Sequence, residues 1–269
     1  MSTRIDISDP SDPRVDDFRD LTRADRRPDR PGGRGLVIAE GIVVARRLVA
    51  SAYPLRALLG VPRRYDEFRG ELADKRAPFY VATTEVMAEI VGFRFNRGVL
   101  ALADRVAFPP ADRLLVAGHR IAVLENVSDH ENIGALFRNA AALGIDGVLL
   151  SGSCADPLYR RSVRVSMGNV FSVPFASIPP LDQGGCDLLH ENGYRIVALT
   201  PRADGIPLAD VSAALSGGIA IVLGSEGFGL SEESLAVADV LARIPMAHGV
   251  DSLNVATAGA IAFAALSGH

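Results

Sequence analysis

From His119 onward, short uniformly apolar runs alternate with stretches of helical periodicity, and almost no residues are left over between them. RIAVLENV, DGVLLSG, RIVALTP, GIAIVLGS and LARIPM read as strands; NIGALFRNAAALG, SEESLAVAD and SLNVATAGAIAFAALSG read as helices. Strands this apolar on both sides belong in a parallel sheet covered by helices on both faces. Such sheets take their ligands beyond the carboxyl ends of the strands, so the strand-to-helix loops are the places to look for chemistry. The chain shows no internal repeat.

The first 35 residues are charged and rich in Pro and Gly, ending in RRPDRPGGRG. Val15, Phe18 and Leu21 predict one short helix there, followed by a mobile basic loop, so 1–35 is expected to be partly flexible. LVIAEG, PLRALLGV, PFYVAT and GVLALAD then read as strands, with GIVVARRLVAS, YDEFRGELAD and TEVMAEIVG as helices. This predicts a smaller α/β domain over 1–110 and a larger α/β domain over 111–269. AFPPADR (107–113) breaks periodicity and is the expected linker.

The 269 residues carry a net charge of −4, which hides an asymmetry. Cationic residues are in excess up to residue 110, and acidic residues predominate beyond it. Every cation but Lys75 is Arg, the side chain suited to two-pronged contact with phosphate. Cys154 and Cys186 are too few for a disulfide framework and form no Cys-x-x-Cys metal clip, so no metal is expected. No long apolar span or secretory leader is evident, and a reducing cytoplasm is the expectation.

Three loops stand out. ENVSDHENIGALFRNAAALG (125–144) runs from strand into helix, with Ile133, Leu136, Phe137 and Ala140 as the buried stripe. Arg138 lies off that stripe, above the small residues Gly134 and Ala135, with room for something to approach. VLGSEGFGLS (222–231) holds glycines in a G-x-x-G-x-G spacing that is neither a dinucleotide fingerprint, a phosphate-binding loop nor a hydrolase elbow. Its glycines let a ligand or another chain segment press on the backbone, and Glu226 sits among them. RIPMAHGVDSLNVATAGAIAFAAL (243–266) ends a strand at Met246 and enters a nearly all-apolar helix, expected to be buried. Asp251 or Ser252 is the expected cap, and Asn254 a polar group in need of a partner.

In this order and spacing, the three loops resemble the signature motifs of the SpoU branch of the SPOUT RNA methyltransferases. The matching residues are Asn132-Ile133-Gly134 with Arg138, Leu223 to Ser231, and Ile244-Pro245-Met246 with Ser252-Leu253-Asn254-Val255. RRSVRVSMGNVFSVPF (160–175) resembles the family's basic Ser-x-Gly segment ahead of a Val-Pro strand, and the likeness covers about 119–266. The resemblance implies a parallel sheet whose C-terminal segment threads into a deep trefoil knot, against the general rule of unknotted chains. It also implies a homodimer with the active site completed at the interface. The reaction would transfer a methyl from S-adenosylmethionine to a ribose 2′-hydroxyl of RNA. The cofactor would lie bent against Thr200, Gly224, Ile244, Met246 and Leu253.

By the same resemblance Arg138, Asn132, Glu226, Ser252 and Asn254 form the catalytic set. Arg138 would either act as the base, held by Asn132, Ser252 and Asn254, or stay charged, grip the adjacent phosphate and steady the developing alkoxide. Glu226 would shape the cofactor loop and the interface. His130 falls in the first motif, but the family pattern does not require histidine there.

IAEGIVVARRLVASAYPLRALLG (38–60) resembles the substrate-binding domain joined to many family members, a fold shared with certain large-subunit ribosomal proteins. Arg46, Arg47, Arg63 and Arg64 are its expected phosphate contacts. Without Trp and with 6% aromatics, extensive base stacking is not expected, whereas structured RNA read by shape is. Ribosomal RNA is the expected substrate, with tRNA methylation or a non-catalytic RNA-binding role as alternatives. A nucleotide-dependent oxidoreductase is disfavoured by the missing fingerprint.

Overall fold

The computed structural model describes residues 3–19, 21, 35–117, 119–211, 217–225, 227–247 and 250–266. They fall into two units, one of 1–106 with 158–172 and one of 107–157 with 173–269.

In the first unit β1 (Arg4–Asp6), β2 (Leu36–Glu40), β3 (Leu55–Gly60), β4 (Phe79–Val81) and β5 (Val99–Asp104) form a sheet in the order β1-β4-β3-β5-β2. β5 runs antiparallel to both of its neighbours, β3 and β2, and the other pairings are parallel. Helices α1 (Ile42–Ala50), α2 (Pro62–Phe68) and α3 (Thr84–Val91) connect the strands. α3 is bounded by sequence-legible signals: the Thr83 hydroxyl accepts the Val86 N–H at 3.3 Å, and Gly92 ends the helix in the left-handed region. Val15 and Phe18 are fully buried in a 3-10 turn (Pro13–Phe18), close to the expected short helix. Of the basic loop expected after it, residues 22–34 lie outside the described residues. The helix expected over YDEFRGELAD instead starts at Pro62 and stops at Phe68, because proline supplies a ready first-turn residue.

In the second unit α4 (Ala111–Ala117) leads into β6 (Arg120–Glu125), α5 (His130–Ala142) and β7 (Gly147–Ser151). α6 (Arg160–Val165) follows in the chain but groups with the first unit. The chain then continues through β8 (Phe175–Ile178), α7 (Gly185–Glu191), β9 (Tyr194–Leu199), β10 (Ile206–Pro207), α8 (Leu208–Val211), β11 (Gly218–Gly224), α9 (Glu232–Ala236), β12 (Val240–Arg243) and α10 (Val255–Leu266). The seven strands are all parallel, in the order β10-β12-β9-β11-β6-β7-β8. One face packs Ile121, Val123, Ala220 and Val222 against Leu114, Leu189 and Leu235 of α4, α7 and α9. α5 and α10 pack together and against β7 and β11. At Gly259 of α10 an added Cβ would sit 2.5 Å from Leu136 Cδ2 of α5, so the two helices approach closely because that residue has no side chain.

The expected division at 110/111 needs one correction. Residues 158–172 belong with the first unit, not with 111–269. Arg160 donates to the buried Glu40 carboxylate at 2.7 Å, and its guanidinium lies 5.6 Å over the Phe93 ring. Arg47 donates to the Met167 carbonyl at 2.6 Å, and Tyr53 meets Phe171 edge-on at 5.6 Å. Ser166 closes the turn by donating to the Val163 carbonyl and accepting the Gly168 N–H. The basic Ser-x-Gly segment is therefore part of the first unit's packing.

Candidate active site

Beyond the carboxyl ends of β9, β11 and β12 lies a cleft of about 390 Å³. That volume is within the about 300–1,000 Å³ usual for small-molecule sites. Thr200, Gly224, Ile244, Met246 and Leu253, the five expected cofactor residues, all line it, and so does Ser252. They come from four separate chain segments that the parallel topology gathers at one sheet edge.

Gly224 dictates the shape of the glycine loop. A Cβ there would strike the backbone of Gly229 and Leu230, while the Gly229 N–H donates to the Ser225 carbonyl at 2.9 Å. The loop thus doubles back directly on the end of β11, with Gly229 at φ +69°. Only a residue without a side chain permits that approach. Phe228, at the tip, is 98% exposed. Glu226, expected in this loop, lies outside the described residues.

The start of α10 follows the cleft-lining Ser252 and Leu253 and is bonded to the start of α5. Asp129 caps α5 by accepting the N–H groups of Glu131 and Asn132, which fixes Asn132 in the first turn. Asn254 Nδ2 donates to Asn132 Oδ1 at 2.8 Å. Its own Oδ1 accepts the N–H groups of Ala256 at 2.9 Å and Thr257 at 3.3 Å. Asn254, not Asp251 or Ser252, therefore caps α10, and it is exposed rather than buried. Asp251 and Ser252 precede the helix on the cleft wall. Asn139 Nδ2 adds a bond to the Ala256 carbonyl at 2.8 Å, fastening α5 to α10. The core stripe of α5, Ile133, Leu136, Phe137 and Ala140, is buried as its spacing predicts.

Arg138 stands on the exposed side of α5 and does not line the cleft. Asn132, Arg138, Ser252, Asn254 and the cofactor residues all belong to the second unit. The five expected cofactor residues and Ser252 line the cleft, whereas Asn132, Asn254 and Arg138 are not among its lining residues. The four arginines expected to meet RNA all have partners inside the first unit. Arg46 pairs with Glu71 at 2.8 Å, Arg47 bonds the Met167 carbonyl, and Arg63 and Arg64 share Glu67. Arg94 and Arg97, in the loop before β5, are exposed and were not singled out.

Glu125 was also missed. It is 5% exposed at the end of β6, where it accepts hydrogen bonds from Ser231 and Ser234. The signal was available: Ile121, Val123 and Glu125 alternate onto one face of an apolar strand, and a carboxylate at an inward position demands partners. Both cysteines are free. Among the described residues no helix is long and apolar enough to cross a membrane.

The sequence pattern of the SpoU rRNA Methylase family matches residues 119–264. An uncharacterized tRNA/rRNA methyltransferase of Mycobacterium tuberculosis is 49% identical over 259 residues, covering 96% of this chain and 90% of that protein. The 23S rRNA (guanosine-2′-O-)-methyltransferase RlmB of Vibrio vulnificus is 34% identical over 142 residues, 52% of this chain and 56% of that one. The crystal structure of an AdoMet-bound rRNA methyltransferase from Sinorhizobium meliloti shares the fold. It has a TM-score of 0.81 over 98% of this chain and 97% of that one, at 24% identity. By motif, length and architecture, the chain belongs to the SpoU rRNA methylase family.

Proposed function

We propose that this protein is an S-adenosylmethionine-dependent RNA methyltransferase acting on a ribose 2′-hydroxyl, in ribosomal RNA ahead of tRNA. The observation that carries this reading is the meeting of the doubled-back glycine loop, the Ile244–Met246 segment and the start of α10 around one cleft. The methyl donor supplies a sulfonium methyl open to attack by a nucleophile. The cleft suits it: Gly224 leaves backbone bare, Ile244, Met246 and Leu253 offer apolar surface, and Thr200 a polar edge.

Asn132, Asn254 and Ser252 hold and orient the ribose, since aligning a weak nucleophile is the larger part of the task. Arg138 stays charged, grips the adjacent phosphate and steadies the developing alkoxide, while another group or water takes the hydroxyl proton and the donor departs as its thioether. Glu226 shapes the cofactor loop.

Arg138 serves the cleft of a second copy in a homodimer, and its exposure on α5 leaves it open to such a partner. In support, the outward side of α10 carries the exposed Ile261, outside the cleft lining, an apolar group that a partner would cover. The C-terminal segment forms the family's deep trefoil knot, and the protein works in the cytoplasm. The first unit binds structured RNA. Arg46, Arg63 and Arg64 would exchange carboxylate for phosphate partners, Arg47 would contribute from the same surface, and Arg94 and Arg97 would add to the contact.

The test is a map of 2′-O-methylation in ribosomal and transfer RNA from cells with and without the gene. One lost site, restored by wild type and not by Arg138→Ala, is the expected result. Identical maps in both strains would overturn the reading, and a lost tRNA site would move the substrate.

A further inference from the structure

We propose that Glu125 is a positioning residue for the methyl-donor cleft. Its buried carboxylate pins the return limb of the glycine loop and thereby sets donor affinity, without touching the donor. The proposal rests on the reading of the cleft as the donor site.

Glu125 and Gly224 are register partners at the adjacent ends of β6 and β11, so the carboxylate lies beside the point where the loop leaves the sheet. The loop folds back over Gly224 and re-enters the core at Leu230, which is buried and lines the cleft. At the next residue the Ser231 N–H donates to Glu125 Oε1 at 2.8 Å. One helical turn later the Ser234 hydroxyl donates to Oε2. Ser231 also caps α9, its hydroxyl accepting the Ser234 N–H at 3.2 Å.

One carboxylate therefore holds both the backbone that ends the loop and the helix that follows. Glu125 itself is absent from the cleft wall, whereas Gly229, Leu230, Glu232 and Leu235 on the pinned limb all line it. A buried carboxylate is costly unless its oxygens are satisfied. The strand end and the loop end are thus obliged to stay together, and the loop is preorganised before the donor arrives. Preorganisation of this kind appears in affinity.

The experiment uses the full-length chain and reads donor Kd by calorimetry, thermal midpoint, and KM for donor and kcat on RNA. Glu125→Ala is expected to raise donor Kd about tenfold or more, the scale of a lost charge-assisted hydrogen bond. At saturating donor its kcat should stay within about threefold of wild type. Glu125→Gln should be much milder, because its carbonyl can accept the Ser231 N–H while its amide donates to the Ser234 hydroxyl. Ser234→Ala should weaken binding about threefold.

A folded Glu125→Ala with wild-type Kd and only a lowered thermal midpoint would overturn the proposal. Should Glu125→Ala fail to fold, Ser234→Ala decides: unchanged Kd overturns the proposal, raised Kd upholds it. Failure of the cleft reading looks different, as wild type would then not bind S-adenosylmethionine, or Gly224→Ala would bind it normally.

Discussion

Arg138 differs from the arginines of the first unit in where its counter-charge must come from. Arg46 faces Glu71, and Arg63 and Arg64 divide Glu67 between them, whereas Arg138 projects from α5 with no hydrogen bond or ion pair among the described residues. An unpaired guanidinium on a helix fastened to the site is placed for an anion from outside. Arg138→Lys keeps the charge but loses the planar fork. Methyl transfer should fall about a hundredfold or more, the scale of losing one transition-state donor, with the thermal midpoint unchanged. Near-normal transfer by this variant would refute both proposed roles for Arg138. Tyr194 is a residue of the opposite kind, with a purely structural role. Its hydroxyl donates to the Leu115 carbonyl at 2.9 Å, and burial pushes the phenol up to about 12. Because an unfolded tyrosine titrates near 10, the unfolded chain releases this proton first as pH rises. Stability intact below about pH 10 should decline between about 10 and 12. Denaturant midpoints measured across that range should fall less in Tyr194→Phe than in wild type.

α5 and α10 owe their alignment to what their residues lack as much as to what they carry. Gly259 lets α10 settle onto Leu136, and the Asn254–Asn132 and Asn139–Ala256 bonds hold the starts and flanks together. Gly259→Val would drive a branched side chain into Leu136 and Leu223. Overpacking of this sort costs about 1–3 kcal/mol, so a chemical melt should register the loss, and methyl transfer should suffer more than donor binding. The start of α10 also shows where reading by element runs out. Asp251, Ser252 and Asn254 are all good caps by residue type, and the choice fell on Asn254, the one also bonded to Asn132 on another helix. β1 and β10, with three and two residues, are too short to show a period, and sheet pairing alone makes them strands.

The departure of residues 158–172 to the first unit bears on how the chain may be cut. Val163 and Val170 are buried there, and Arg160 holds the buried Glu40. A fragment of 107–269 would leave these groups without partners. It is expected to bind a hydrophobic dye and lose solubility relative to the full chain; a soluble fragment with no dye binding would contradict this packing. Ile261→Glu tests assembly instead: light scattering should report a monomer that binds the donor but does not methylate, and an unchanged mass would remove α10 from any interface. The α/β class and the order of the loops were readable from residue order, because burial periodicity and the freedom of glycine act over a few neighbouring positions, whereas the five expected cofactor residues followed only from the likeness of the loops to the family's motifs. Asn132 with Asn254, Glu125 with Ser231 and Arg160 with Glu40 are separated by 122, 106 and 120 positions. Only the folded chain decides such pairs, because a buried or capping polar group accepts whichever partner the packing of the sheets and helices brings within hydrogen-bond reach.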